Sequence, residues 1–165
     1  MTGYGAGMVD RTVVCAALEI LDADDAIAER VVNVVRDSLV SAGGRPLGDG
    51  GLEHAFDDCA VAVEAAIVAQ WDAQRLDGGE GVKVRLGIHV GPDGASASAG
   101  AAALCEAANG NQIVASAAVD AATGSMLDAR PMGTHDVPGV GVGQLWLLTD
   151  SRPHVDARPL RLPEA

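Results

Sequence analysis

Aromatic side chains are nearly missing from this chain: one Phe, one Tyr and two Trp in 165 residues. A core with so few rings is built from Ala, Val, Leu and Ile, which suits close packing of helices on a sheet. Basic charge is also scarce. Eleven Lys and Arg stand against 23 Asp and Glu, a formal net charge of −12, and Lys83 is the only lysine. Nucleic acid and anionic membranes are recognised by clustered Lys and Arg, so neither is expected as a partner. A polyphosphate site has few cations to draw on. Three cysteines, Cys15, Cys59 and Cys105, sit in apolar segments without C-x-x-C spacing. They are expected as small core residues in a reducing cytoplasm. No signal peptide is visible, and no apolar run approaches the ~20 residues of a membrane-spanning helix. The length suits one domain with a sizeable core, and no linker or internal repeat stands out.

What is present is strongest at Val82 to Gly91, VKVRLGIHVG. Val82, Val84, Leu86, Ile88 and Val90 alternate with Lys83, Arg85, Gly87 and His89, the period of a strand and here the expected central strand of one sheet. A Gly-Pro-Asp-Gly turn at 91–94 is expected to stop it. Residues 1–10 are Gly-rich and expected to be flexible. Arg11 to Ile20 reads as a buried strand. Asp24 and Asp25 can cap a helix to Val40, with Ile27, Val31, Val34, Val35 and Leu39 at helical spacing, ended by Ala42-Gly43-Gly44. Arg45 to Leu47 pairs with Leu52 to Phe56 as a hairpin around a Gly-Asp-Gly-Gly turn. Asp57 and Asp58 cap a second helix to about Leu76, whose apolar side reads as Val61, Ala65, Val68 and Trp71. A third helix is expected from about Ser96 to Ala108, a short strand at Gln112 to Ala115, a helical piece from Ser116 to about Gly124, and a strand pair at Pro131 to Val137 and Gly143 to Leu148. The tail at 150–165 is Pro-rich and expected to be extended or disordered. The order is βαββαβ followed by αβαββ, an α+β fold whose first half is a split βαβ, ferredoxin-like unit with helices on one face of a largely antiparallel sheet.

Several of these stretches, taken in order, resemble the class III adenylate/guanylate (nucleotidyl) cyclase homology domain. RTVVCAALE is similar to that family's first strand, AGGRPLGDGGLEHAF to its metal-binding hairpin, and VKVRLGIHVG to its central "vRiGIHtG" strand. AAALCEAANGNQIVAS is similar to its "AARLc.lA..GqIlvS" segment, and GTHDVPGVGVGQLWLL to its closing "G.h.lkGl..pv.ly.l". The resemblance covers about Arg11 to Leu148, so that 11–149 reads as a cyclase homology domain: the ferredoxin-like core extended to a class III cyclase-type sheet with helices packed on it. It implies head-to-tail dimers with an active site between two protomers.

The resemblance also implies a reaction, attack of a nucleoside triphosphate's 3′-hydroxyl on its α-phosphorus, supported by two metal ions held by two aspartates. The position matching the first aspartate is Ala17, with Glu19 two residues on as a weak stand-in. The second falls on Gly50. Asp49 beside it reads either as a slipped metal ligand or as a turn residue. The family's Asn and Arg, four apart on the helix after the central strand, match Ala99 and Ala103. No Asn-x-x-x-Arg occurs at all, since Asn33, Asn109 and Asn111 are followed at that spacing by Asp37, Ile113 and Ala115. Loss of such a charge clamp alone costs about 10³-fold or more in rate. A purine-reading Lys is missing from the hairpin, Lys83 lies on the outer face of the central strand, and Pro138 stands where the closing motif often carries a phosphate-binding Lys. The loop after Gly91 is short.

Other constellations carry little. Gly139 to Gly143 (GVGVG) precedes a strand, not a helix, and reads as a turn. His54, His89, His135 and His154 are scattered, His89 with an expected structural role. Asp57-Asp58 reads as a helix cap. The resulting expectation is a catalytically inactive cyclase homologue that works as a homodimer, or as a heterodimer with a cyclase-fold chain, or by binding a regulatory ligand, with no metal or cofactor and no bound nucleoside triphosphate. The alternative is a divergent active cyclase using Mg²⁺ or Mn²⁺ with Glu19, Asp49 and an arginine such as Arg45 or Arg85.

Overall fold

A computed structural model describes residues 10–48 and 51–162. In chain order the elements are β1 (Arg11–Ile20), α1 (Asp25–Ser41), β2 (Arg45–Pro46), β3 (Glu53–Phe56), α2 (Cys59–Gln74), β4 (Val82–Gly91), α3 (Gly94–Ala107), β5 (Ile113–Ala115), α4 (Ala117–Ala122), β6 (Ala129–Val137) and β7 (Gly141–Leu148). They form one seven-stranded sheet in the order β2-β3-β1-β4-β5-β7-β6, with β4 at its centre. Every pairing is antiparallel except β4 with β5.

The local reasons are legible in the side chains. Asp24, Asp58 and Asp93 cap α1, α2 and α3 by accepting the backbone N–H of Ile27 (2.9 Å), Val61 (3.1 Å) and Ser96 (2.8 Å). Each such cap is worth about 1 kcal/mol. α1 ends in a Schellman turn: Gly43, at φ +99°, donates to Val40 O and Gly44 to Leu39 O, a left-handed position that Gly adopts without a Cβ penalty. The expected Gly91–Gly94 turn is shorter than its composition suggests. Asp93 is already a cap, so only Pro92 and Asp93 separate β4 from α3.

Period two sorts β1 and β4 onto two faces. Val14, Ala16, Val84, Leu86 and Ile88 face α1, α2 and α4 and meet Val31, Val35, Leu39, Ala62, Ala66, Ala69 and Val119 in the main core. α2 does not turn Val61, Val68 and Trp71 to the interior. Its buried positions are the small Ala62, Ala65, Ala66, Ala69 and Ala73 with Val63, Ile67 and Gln70, and the alanines let the helix axis come close to the sheet. α3 lies on the opposite face, where Ala97 and Ala101 pack on Val13 and Ala55. Two glycines of β4 make that approach possible. A Cβ on Gly87 would lie 2.3 Å from Ala101 O and 2.4 Å from Cys105 N, and one on Gly91 would lie 2.8 Å from Ala97 N.

One core residue has a pH consequence. His54 on β3 is 0% exposed, and neither ring nitrogen has a hydrogen-bond partner among the described residues. Burial, and then the positive charge of Arg36, hold it below its ordinary value of 6.5. The folded protein therefore keeps this ring neutral where the unfolded chain protonates it. Its contribution is intact above pH 6.5 and is lost as pH falls through 6.5 toward the lower folded value. Thermal melts at pH 7 and pH 5 should show a fall in Tm that is smaller in His54→Leu. An equal fall in both proteins would remove His54 as its source.

Residues 149–162 form no helix or strand, yet they are tied down. Leu160 and Leu162 pack against the second core, Leu104, Ala108, Val114, Val137 and Leu145. Gln112 Nε2 donates to the carbonyls of Asp156 (3.0 Å) and Arg158 (2.8 Å), and Asn109 Nδ2 donates to that of Pro159 (2.8 Å).

Candidate functional site

The face of the sheet that α3 partly covers holds most of the positions singled out in the sequence. Pairing of β1 with β4 sets four rows there: Val13 with His89, Cys15 with Gly87, Ala17 with Arg85, and Glu19 with Lys83. Glu19 does not point at an open site. Its Oε2 accepts the Gly110 N–H at 3.0 Å, tying β1 to the loop after α3. A Cβ on Gly110 would lie 2.6 Å from that oxygen, so the loop approaches as only a glycine can. On the neighbouring strand, the Glu53 carboxylate accepts a hydrogen bond from Ser98 Oγ of α3.

Arg85, Ala103 and Pro138 converge. They line a cavity of about 500 Å³ together with Glu106, Val137 and Arg161. Arg85 Nε is buried there without a partner among the described residues. Ala99 lies one turn earlier on α3, exposed, beneath the β6–β7 turn. Gly139 at φ +83° brings that turn down, a Cβ on it being 3.3 Å from Ala99 C. The GVGVG stretch thus forms a tight turn closed by Val140 N–H to Val137 O at 2.9 Å and runs into β7.

The remaining candidates have local partners. His89 Nδ1 is 2.8 Å from Ser116 Oγ, Gly100 leaves room for its ring, and burial lowers its basicity. Asp58 caps α2, while Asp57 pairs with Arg45 (3.1 Å) and Arg11 (3.2 Å). The Arg45 and Arg11 guanidiniums hold the exposed Asp57 carboxyl below its usual range, Arg45 first. Asp49 and Gly50 lie outside the described residues.

No family model matches the sequence, and no curated protein matches it. Solved structures do. Adenylate cyclases of Trypanosoma brucei, described in their monomeric state, superpose with a TM-score of 0.79 at 18% identity over 98% of both chains. An adenylate/guanylate cyclase/hydrolase from Silicibacter pomeroyi gives 0.69 at 17% identity over 86% of this chain and 97% of that one. The adenylyl cyclase CyaB of P. aeruginosa gives 0.66 at 16% identity over 87% and 95%. The fold is that of the class III nucleotidyl cyclase catalytic domain.

On the cyclase fold, the sequence positions acquire a geometry. Ala17, Arg85, Ala103 and Pro138 belong to one side of the sheet, Ala17 directly across from Arg85 and the other two beside it. Two catalytic cations need hard oxygen ligands converging from different elements. The described residues do not fit such a pair. Ala17 offers a methyl group and Glu19 is held by a backbone N–H. No cluster of three or more His, Cys, Asp or Glu suited to a metal occurs among the described residues. No helix of the described residues is long and apolar enough to cross a membrane. The site also contains what sequence reading missed: Arg161, brought to the cavity by the tail, and the Ser98–Glu53 and Gly110–Glu19 links. The Leu-x-Leu of 160–162 in an otherwise polar, Pro-rich tail was the available signal for the first. The two links join residues far apart in sequence and have no local signature.

Proposed function

We propose that this domain is a cyclase-fold protein without turnover, acting in cyclic-nucleotide-type signalling by associating with a cyclase-fold chain, a second copy of itself or a different one. The observation that carries the reading is the row Ala17, Ala99 and Ala103. At the positions matched to the cyclase metal ligand and transition-state clamp stand three side chains with no charge and no donor. Support also comes from Glu19, the nearest carboxylate on β1, whose engagement with Gly110 anchors a loop. A fold can outlive its chemistry because association needs a surface and not a metal centre.

Two measurements test this. Purified protein with Mg²⁺ or Mn²⁺ and each of the four ribonucleoside triphosphates should yield no cyclic nucleotide above a no-protein control. Turnover that disappears in Asp49→Ala would establish the divergent-enzyme reading instead. Sedimentation should show a dimer, either of the protein alone or with a cyclase domain from the same cell. A strict monomer in both experiments would remove the mechanism.

A further inference from the structure

Cys15 of β1 and Cys105 of α3 are far apart in the chain and meet on the α3 side of the sheet. Cys15 on β1 sits directly across from Gly87 on β4. The missing side chain of Gly87 is where α3 comes down, and the Cys105 N–H lies 2.4 Å from the point its Cβ would occupy. Cys105 is therefore seated over Gly87 and beside Cys15, its S–H directed to the Arg85 carbonyl oxygen at 3.4 Å. Residues opposite one another on antiparallel strands have Cα atoms about 4.5–5.5 Å apart, and disulfides join Cα atoms up to about 6.8 Å apart. The third cysteine is excluded by the sheet: Cys59, the first residue of α2, packs against the main core on the other face.

From this juxtaposition we infer that Cys15 and Cys105 are a peroxide-oxidisable pair, a modification site at which a disulfide pins α3 to β1. The chemistry balances with one hydrogen peroxide. The Cys15 thiolate attacks a peroxide oxygen, giving a sulfenic acid and hydroxide. The Cys105 sulfur then attacks the Cys15 sulfur, the S–S bond forms, and the sulfenic oxygen leaves as water with the Cys105 proton. Two thiols lose an electron pair, and peroxide is reduced to two waters.

The two sulfurs are suited to unequal roles. Cys15 is half-buried and within reach of a small oxidant, while Cys105 is fully buried. The neighbouring Cys105 draws the Cys15 thiol below its ordinary value against the opposing effects of burial and the Glu53 carboxylate, with Arg85 assisting. The neighbouring Cys15 and burial hold the proton on Cys105, whose S–H donates to the Arg85 carbonyl oxygen at 3.4 Å. A thiolate that is exposed enough to react, beside a protonated resolving thiol, is the arrangement that forms disulfides. The linkage is independent of whether the domain turns over a nucleotide.

The test uses the wild-type protein. After stoichiometric hydrogen peroxide, thiol titration in denaturant should fall from three thiols per chain to one, and peptide mapping should find Cys15 joined to Cys105 with Cys59 free. The melting temperature should rise by about 5–10 °C, because the cross-link closes a long loop of the unfolded chain, and dithiothreitol should reverse the rise. In Cys105→Ser the same treatment should leave Cys15 as a sulfenic acid that dimedone traps. Three free thiols after treatment, a bridge involving Cys59, a bridge only between two chains, or over-oxidised Cys15 in the wild type would each overturn the proposal.

Discussion

Gly87→Ala should lower the melting temperature by about 6–12 °C, the equivalent of about 3 kcal/mol in a domain of this size. The added methyl would stand 2.3 Å from Ala101 O, 2.4 Å from Cys105 N and 3.0 Å from Leu104 C, all backbone atoms of α3. Backbone in a helix cannot rotate aside as a side chain can. Relief requires the whole of α3 to lift, which parts Ala97 and Ala101 from Val13 and Ala55. Gly94→Ala is the control. It sits at the start of the same helix with nothing within 4 Å of its Cβ, and it should be neutral or slightly stabilising because Ala favours helix. Thermal unfolding followed by circular dichroism reads both. If Gly87→Ala melted within a degree or two of wild type, the contact between α3 and β4 would be looser than described. The basis for placing Cys105 beside Cys15 would weaken with it.

That helix marks where the sequence was and was not informative. The period of two in 82–91 gave the central strand, because a half-buried strand must alternate whatever its neighbours do. Asp24 and Asp58 announced their helices through a local rule, a carboxylate two or three residues ahead of an apolar run. α3 has no such polarity. Its residues from Ala97 to Ala103 are small on every side, so nothing in their spacing says which face meets the sheet, and the start of the helix was read two residues late through the glycines flanking Pro92 and Asp93. The same weakness affected the reading of α2, where Ala65 is buried as read but Val61, Val68 and Trp71 are not, and Ala62, Val63, Ala66, Ile67 and Ala69 are. Of the candidate site, the positions Ala17, Ala99 and Ala103 were legible only through resemblance to a family pattern. That Glu19 holds Gly110, or that Arg161 reaches the cavity of Arg85, depends on residues that folding alone brings together.

Gln112→Ala should cost about 3–4 kcal/mol and free the tail. Gln112 is 0% exposed and uses its whole amide. Oε1 accepts from the Asn109 N–H at 2.7 Å and from Asn109 Nδ2 at 3.1 Å, while Nε2 donates to Asp156 O and Arg158 O. Truncation removes these bonds and leaves the buried Asn109 N–H without its acceptor, at about 1–3 kcal/mol for that group alone. The tail carbonyls can escape to water, but only by pulling Leu160 and Leu162 off Leu104 and Leu145, so the loss should appear as detachment of 154–162 before global unfolding. Hydrogen exchange would then show faster labelling of Arg161, whose N–H is bonded to Ala107 O at 2.7 Å, by an order of magnitude or more, while amides of β4 change little. Gln112→Glu separates the two halves of the amide. It keeps an acceptor for Asn109 but sets a carboxylate oxygen against two carbonyl oxygens, so it should detach the tail as fully as alanine does. A glutamate variant with wild-type exchange at 156–161 would mean that apolar contacts alone hold the tail. The Gln112 donor bonds would then not be what keeps Arg161 at the cavity beside Arg85.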